Sequence, residues 1–249
     1  MKMKKPISFG IGVTVVFLLS AKLSAQWTLD VETGRVWSGY NDVQIPGDTG
    51  TRFSLSKDLK ADAGLFLRAR LTWQIKPRHA LSLFAAPLRL SASGSVAKPL
   101  FYNGEEFAAA TPLKARYMFN SYRLTYRYTL VPGERINFGI GLTAKIRDAG
   151  IRVEGGGKTT EKTNVGFVPL INFRLDLMFS GQTGILFEGD ALAAPQGRAE
   201  DVFLGIQWKA AKALSLRGGY RIVEGGADND EVYNFALIHF LAVGAEVRF

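Results

Sequence analysis

Residues 65–75 run Leu65-Phe66-Leu67-Arg68-Ala69-Arg70-Leu71-Thr72-Trp73-Gln74-Ile75. Every odd position is apolar, and most even ones are polar or charged. A period of two is the signature of a β-strand with one greasy and one wet face. The pattern recurs at 118–130, where Met118, Asn120, Tyr122, Leu124, Tyr126, Tyr128 and Leu130 alternate with Phe119, Ser121, Arg123, Thr125 and Arg127. It recurs again at 136–147, where Ile136, Phe138, Ile140, Leu142, Ala144 and Ile146 alternate with Asn137, Gly139, Gly141, Thr143, Lys145 and Arg147. Further strands fit near 164–179, 183–194, 201–210, 213–223 and 232–249. Two less regular ones lie at 26–39 and 80–91, and in the second Pro87 suggests a bulge and leaves the facing open.

The connections alternate in length. Short ones sit at Lys76-Pro77-Arg78, Val131-Pro132-Gly133-Glu134, Ser180-Gly181-Gln182 and Ala211-Lys212, and longer ones near 40–62, 92–115, 153–163, 195–200 and 224–231. Short turns at one end and longer loops at the other predict an all-β chain folded as a transmembrane antiparallel up-and-down β-barrel. An even strand number puts both termini at the short-turn end and closes the count at about ten. Eight or twelve are also compatible, because 26–39 and Phe53-Ser54-Leu55 can be parsed in more than one way. A secreted sandwich or lipocalin-like barrel would point its apolar face inward. Here the second face gathers Arg, Lys, Asp and Glu with Gly, Ser and Thr, which suits a wet or salt-bridged lumen. Trp27, Tyr117, Tyr122, Tyr126, Tyr128, Trp208 and Tyr220 supply aromatic girdles at the lipid interfaces.

Composition agrees. The 249 residues are 47% hydrophobic and contain no cysteine, which excludes a disordered chain, a disulfide scaffold and a thiolate metal site. The formal charge of +9 would by itself suggest nucleic acid or an anionic membrane as partner. Residues 1–25, however, read as a signal peptide. Lys2, Lys4 and Lys5 form the basic region, residues 11–19 the apolar one, and Leu23-Ser24-Ala25 the cleavage site. Removing it takes four lysines (2, 4, 5 and 22), so 31 − 4 = 27 basic residues face 22 acidic ones in a barrel domain of residues 26–249, a net +5. No nucleic-acid partner is expected. The mean hydropathy of +0.05 is then the average of one greasy and one charged residue in alternation.

The last strand, Tyr233 to Phe249, ends with Gly244, Val247 and Phe249 in a glycine, hydrophobic, terminal-aromatic spacing. In this the chain resembles bacterial outer-membrane β-barrel proteins over its whole mature length. The resemblance implies residence in the outer membrane and passage through the periplasm with its chaperones. It implies insertion by the barrel assembly machinery, with Gly244, Val247 and Phe249 as the assembly signal, and contact with outer-membrane lipid and lipopolysaccharide. It names no activity.

The facing places Arg68, Arg70, Arg123, Arg127, Lys145, Arg147, Arg174, Lys209, Arg217, Arg221 and Arg248 inside, with Asp30, Glu32, Asp176, Glu188, Asp190, Asp201 and Glu246. Eleven against seven leaves the lumen at about +4. The hairpin around Gly181 brings Arg174 and Asp176 near Glu188 and Asp190, as in a cross-strand ion-pair network. Charges of this kind either fill and stiffen a small barrel or line a narrow anion-preferring pore. Outside, Lys57, Lys60, Lys98, Lys114, Arg152, Lys158, Lys162 and Arg198 suit lipopolysaccharide phosphates. Residues 224–231 are acidic and Gly-rich but lack the complete calcium-loop pattern, and 155–160 lack the spacing of a phosphate loop. Outer-membrane proteases and lipid A enzymes, which resemble the chain in size, characteristically use a histidine near the extracellular end. His79 lies at the periplasmic turn, and His239 falls on the lipid-facing side with no Ser or acidic partner beside it. The sequence therefore predicts no catalytic residue, cofactor or metal. It predicts a non-catalytic structural or surface-binding barrel, with an anion-preferring pore and an outer-leaflet lipid-modifying enzyme as alternatives.

Overall fold

The structure, a computed structural model, describes residues 26–194 and 197–249; the expected signal peptide lies outside the described residues. The strands in chain order are β1 (Trp27–Gln44), β2 (Phe53–Ser54), β3 (Leu59–Ala61), β4 (Gly64–Lys76), β5 (His79–Ala86), β6 (Arg89–Ser95), β7 (Leu100–Tyr102), β8 (Glu105–Phe107), β9 (Pro112–Val131), β10 (Ile136–Gly155), β11 (Lys158–Met178), β12 (Thr183–Ala194), β13 (Gly197–Lys209), β14 (Leu214–Asp228) and β15 (Tyr233–Arg248). Consecutive strands pair antiparallel around the wall, and β15 returns to β1 from Thr28↔Arg248 to Gln44↔Tyr233. Because β5 and β6 both lie against β9 as two halves of one strand, and β3 leads into β4, the wall is a closed barrel of ten strands.

Several local expectations change. Pro87 makes no bulge: Ala86↔Ser121 and Arg89↔Met118 keep one register across a two-residue interruption, where the Leu88 N–H turns to the Asn120 side-chain oxygen at 3.3 Å. The register shift next to β5 lies instead in its ladder with β4, between Gln74 and Lys76, and a second lies between Ser38 and Tyr40 where β1 meets β15. Residues 153–163, 195–200 and 224–231 are not long loops: Ala194 pairs with Gly197, and β14 runs on to Asp228, which pairs with Tyr233. Strands β10 and β11 continue to the pair Gly155↔Lys158, and Gly156 and Gly157 close the hairpin at φ +56° and +79°. Two successive left-handed residues are what a tight hairpin turn of the right twist requires, and glycine supplies them without strain.

The outward apolar face of β10 runs from Ile136 to Ile146. At ~3.3 Å per residue and a tilt of ~40° those ten steps rise ~25 Å, the height of a membrane band. Trp27, Trp73 and Trp208 are outward at its turn end, with Trp27 stacked on Trp73 at 5.7 Å. Past Ile146 the polarity of the strands inverts. On β10 the outward residues become Asp148, Arg152 and Glu154, while Ile151 and Val153 are buried inside. On β9 the outward Lys114 and Arg116 flank the buried Leu113, Ala115 and Tyr117. Tyr117 thus leaves the expected girdle and stacks on Phe119 within the barrel. Side chains keep their alternation, but the solvent outside has changed from lipid to water, so the greasy face turns in.

That inner face receives the chain between β1 and β4 and the β7–β8 hairpin. Phe53, Leu55, Leu59, Leu100, Tyr102 and Phe107 pack into it. Thr51 N–H donates to Phe101 O at 2.8 Å, Asn103 N–H to Ile45 O at 2.8 Å, and Gly47 N–H to Asp230 O at 2.8 Å. The fully buried Tyr102 hydroxyl donates to Ile151 O at 2.7 Å, and burial pushes that phenol above its ordinary range.

Closure is directly testable, since the chain has no cysteine of its own. Trp27 and Phe249 exchange both backbone hydrogen bonds, so the next pair, Thr28↔Arg248, is of the close, non-hydrogen-bonded kind. Thr28→Cys with Arg248→Cys is expected to oxidise to a disulfide in the folded protein, read as a reductant-sensitive gel shift. Two thiols that remain open to alkylation would contradict a closed wall.

Candidate functional site

The interior has two storeys. The lower one, on the turn side, is filled with charge. Asp201 receives Arg68 and Arg123 on one oxygen and Arg221 on the other, the last at 2.8 Å. Glu32 accepts from Arg221 at 2.8 and 2.9 Å and from Arg217 at 2.9 Å. Glu188 meets Arg70 at 3.0 Å, Arg221 at 3.3 Å and Arg174 at 3.5 Å. Asp190 pairs with Arg123 at 2.6 Å and accepts from Asn172 at 2.9 Å. Asp30 holds Arg217 at 2.7 Å, and Glu246 holds Arg174 at 3.1 Å and Arg248 at 3.2 Å.

Phe84 lies beneath Arg68, Arg70 and Arg123, with guanidinium carbons 4.9, 5.3 and 4.9 Å from its ring centre. Phe203 does the same for Arg221 at 5.0 Å. Aromatic faces attract cations most where water is absent. A void among Asp30, Glu32, Arg68, Arg70, Phe84 and Glu188 measures about 10 Å3, at the lower limit for one water.

Strand register explains this assembly. Arg174 and Glu188 are direct partners across β11 and β12, and Glu32 and Arg68 across β1 and β4. Arg174 also holds Asp176 at 3.3 Å. Asp190 departs from the expected grouping and crosses the lumen to Arg123. Among the described residues the network joins seven arginines (68, 70, 123, 174, 217, 221, 248) to seven carboxylates (30, 32, 176, 188, 190, 201, 246). It does not include Arg127 or Lys145. The lumen surplus therefore resides in Arg127, Lys145, Arg147 and Lys209. Phe84 was not legible beforehand, because both faces of 80–91 carry apolar residues.

Gly244 of the assembly signal faces this storey. A side chain there would come 2.8 Å from the Arg217 guanidinium and 3.0 Å from Val31 O. Its lack of one gives Arg217 its place between Asp30 and Glu32. Val247 and Phe249 face outward and are exposed, and Phe249 N–H donates to Trp27 O at 2.9 Å to complete the seam.

The upper storey holds a cavity of about 840 Å3. Its walls include Tyr117, Phe119, Ile151, Val168, Leu192 and Ile238, with Lys145 and Arg147 on the side nearer the ion pairs. The wall itself opens here. The β11–β12 ladder runs from Met178↔Gly184 to Ile171↔Ala191 and stops, so residues 158–170 of β11 are laddered to β10 alone. Met178 N–H donates toward β10 and Phe179 N–H toward β12, and alternation then aims the nitrogen of Pro169 at β12. Proline has no hydrogen to give there, and the ladder ends two residues away. Both lips of the gap, Phe167 to Pro169 and Leu192, border the cavity.

The remaining expectations fall outside these storeys. His239 is outward, stacked between Trp37 at 5.5 Å and Tyr220 at 5.9 Å, and bonds the Tyr220 hydroxyl. His79 bonds the Tyr126 hydroxyl at 2.7 Å by the 76–79 turn. Glu224 is committed to Arg198 at 2.7 Å and to Tyr40, so the acidic segment 224–231 does not converge its carboxylates. Lys158 pairs with Glu105 at 3.2 Å, Lys162 with Glu231 at 3.6 Å and Arg152 with Glu154 at 2.6 Å. Lys57, Lys60, Lys98 and Lys114 are exposed at the loop end.

Among solved structures the outer-membrane protease OmpT of Escherichia coli aligns over 92% of this chain and 99% of its own, with a TM-score of 0.57 and 8% identity. The fold is that of the bacterial outer-membrane β-barrels. The transport unit of the autotransporter AIDA-I of Escherichia coli aligns over 94% of both chains at a TM-score of 0.47 and 9% identity. The attachment invasion locus protein Ail of Yersinia pestis aligns over 90% of this chain and 99% of its own at 0.42 and 10%. No family model and no curated relative matches the sequence.

The charge cluster makes a strong prediction. Asp201→Asn leaves Arg68, Arg123 and Arg221 short of their shared counter-charge, and removing one member of a buried ionic set costs about 3–5 kcal/mol. Urea unfolding of the refolded barrel should show a loss of that order. Lys209→Gln, which breaks no ion pair, should change stability by less than about 1 kcal/mol. Equal losses for the two would contradict the assigned roles.

Proposed function

We propose that the chain is an integral outer-membrane barrel that neither catalyses nor conducts, and that binds through its loop-end cavity and the loops around it. The observation that carries this reading is the contrast between the storeys. A lumen packed with ion pairs around a void of about 10 Å3 lies beneath a cavity of about 840 Å3. A conducting path needs continuous water, and seven guanidinium groups interleaved with seven carboxylates present both signs with no gap between them. A binding site needs a concave, mainly apolar space with a few placed polar groups, and volumes of about 300–1,000 Å3 are usual for one.

The surplus of positive charge is what favours an anion-preferring pore. Lys145 and Arg147, however, sit at the cavity and not along a through-path. The enzymatic alternative rested on His239, whose ring faces lipid among Trp37 and Tyr220, away from the cavity. The protease that shares this fold does so at 8% identity, which carries no activity over. The fold and the expected export signal support residence in the outer membrane, with the loop end and its exposed lysines outside. Those exposed lysines support contact with lipopolysaccharide phosphates. Delivery by periplasmic chaperones and the barrel assembly machinery rests on the terminal Gly244, Val247 and Phe249.

Two measurements test the reading. Purified protein in planar bilayers is expected to give no unitary current, and reproducible single-channel steps would contradict it. Lipid A from cells overproducing the chain should match that from cells overproducing His239→Ala. A modification present with the first and lost with the second would restore the enzyme.

A further inference from the structure

Of the basic side chains lining the cavity, Arg198 is bound to Glu224 and Lys162 to Glu231. Lys145 and Arg147 are not so provided. Lys145 is 3% exposed, forms no ion pair or hydrogen bond among the described residues, and has the Phe119 ring at 4.8 Å from its ammonium. Arg147 donates to the neutral Asn164 side chain, and its Nε is buried with no partner. The two sit two residues apart on the inner face of β10, so their heads share one patch of the wall. A buried cation without a counter-charge is costly, and such groups are ordinarily paired. In the lower storey seven arginines have carboxylate partners and Arg127 has none. Lys145 and Arg147 differ from Arg127 in bordering an open cavity, where an anion from outside the chain can supply the partner.

We infer that the cavity is the binding site of a single-chain amphiphilic carboxylate, a fatty acid in its simplest form, held head-down on Lys145 and Arg147. This rests on the proposed binding role and names the ligand class for it. The chemistry of the walls selects the ligand. An anionic group satisfies the two cations, and a hydrocarbon body covers Tyr117, Ile151, Val168 and Ile238. The depth of the head position selects a small terminal anion. At Lys145, which is 3% exposed, a carboxylate ending a single chain can approach head-on, whereas a phosphodiester is flanked by substituents on both sides. The gap above Ile171↔Ala191 supplies the entrance. Its lips, Phe167 to Pro169 and Leu192, are apolar, and Phe167, paired with Ile146 at the top of the lipid-facing band, is 64% exposed on the face that meets lipid. An amphiphile in the outer leaflet could therefore pass into the cavity without crossing water.

The test uses the full mature barrel in nanodiscs of uncharged lipid, so that detergent does not occupy the cavity. cis-Parinaric acid, a fluorescent long-chain carboxylate, and its methyl ester are the probes. The acid is expected to bind the unaltered protein at least tenfold more tightly than the ester. Lys145→Met should abolish that preference while leaving ester binding intact, and Lys145→Arg should restore it. Because Lys145→Met removes an unpaired buried charge, it should also raise the urea midpoint, which separates loss of the site from loss of the fold. Val168→Trp, at the gap, should slow uptake of both probes. Equal binding of acid and ester, unchanged in Lys145→Met, would overturn the carboxylate inference and leave the cavity a site for apolar ligands. Binding of neither probe would overturn both this inference and the proposed function.

Discussion

A guanidinium or carboxylate on the inner wall of a narrow membrane barrel has no bulk water within reach, so it must find its counter-charge across the lumen. That requirement organises this protein. Asp201, Glu32 and Glu188 each take charge from three arginines, on three strands for Asp201 and Glu188 and on two for Glu32. Each strand that carries one is thereby tied to at least one strand beyond its hydrogen-bonded neighbours. The aromatic undersides of Phe84 and Phe203 fill the space a water column would take. Breaking one member leaves the others charged, dry and unmatched, so the cluster specifies one arrangement of the wall more firmly than a greasy filling would. Even the glycine near the C-terminus serves it, since a side chain at Gly244 would meet the Arg217 guanidinium.

Above the cluster the same strands solve a different problem. Once they rise out of the lipid-facing band, their outer face meets water and their inner face becomes a hydrophobic core, closed by the chain between β1 and β4 and by the β7–β8 hairpin. The two regimes meet near Lys145 and Arg147, where the charged lumen ends and the apolar one begins. Two cations without ion-pair partners stand on that boundary. The wall beside them is also where a proline denies β11 its hydrogen bond to β12. Charge, apolar volume and access thus coincide at one height of the barrel, and no other region combines them among the described residues.

Much of this was legible in the residues. The alternation, clearest at 65–75, 118–130 and 136–147 and continued in the other strands, carried the wall and the lumen facing of the charged residues in the cluster, and the alternating connections carried the count of about ten strands. Alternation reports only which residues share a face, however, and says nothing about the medium each face meets. The period therefore does not disclose the inversion above Ile146 and places Tyr117 in a girdle, although Lys114 and Arg116 stand opposite Leu113, Ala115 and Tyr117. Residues 153–163 read as a loop because glycines and lysines cluster there. The β-branched Val153, Thr159, Thr160 and Thr163 around Gly156 and Gly157 were the better guide, being the composition of a hairpin. The gap beside Pro169 could not be read from its own strand, because it depends on where β12 ends. Which carboxylate an arginine selects across the lumen is likewise a property of the closed barrel and not of any one hairpin, as Asp190 and Arg123 show.

The central claim is a dry, ion-paired lower storey beneath an accessible cavity. Site-directed cysteines on the inner face of β10 test it most directly. Thr143 is buried in the cluster, where it bonds both Thr125 and Asp190, and Ala149 borders the cavity. With a membrane-impermeant thiol reagent applied to both sides of the reconstituted protein, Ala149→Cys should react readily and Thr143→Cys at least a hundredfold more slowly. Comparable rates at the two positions would mean a water-filled lumen from end to end, and would contradict the account.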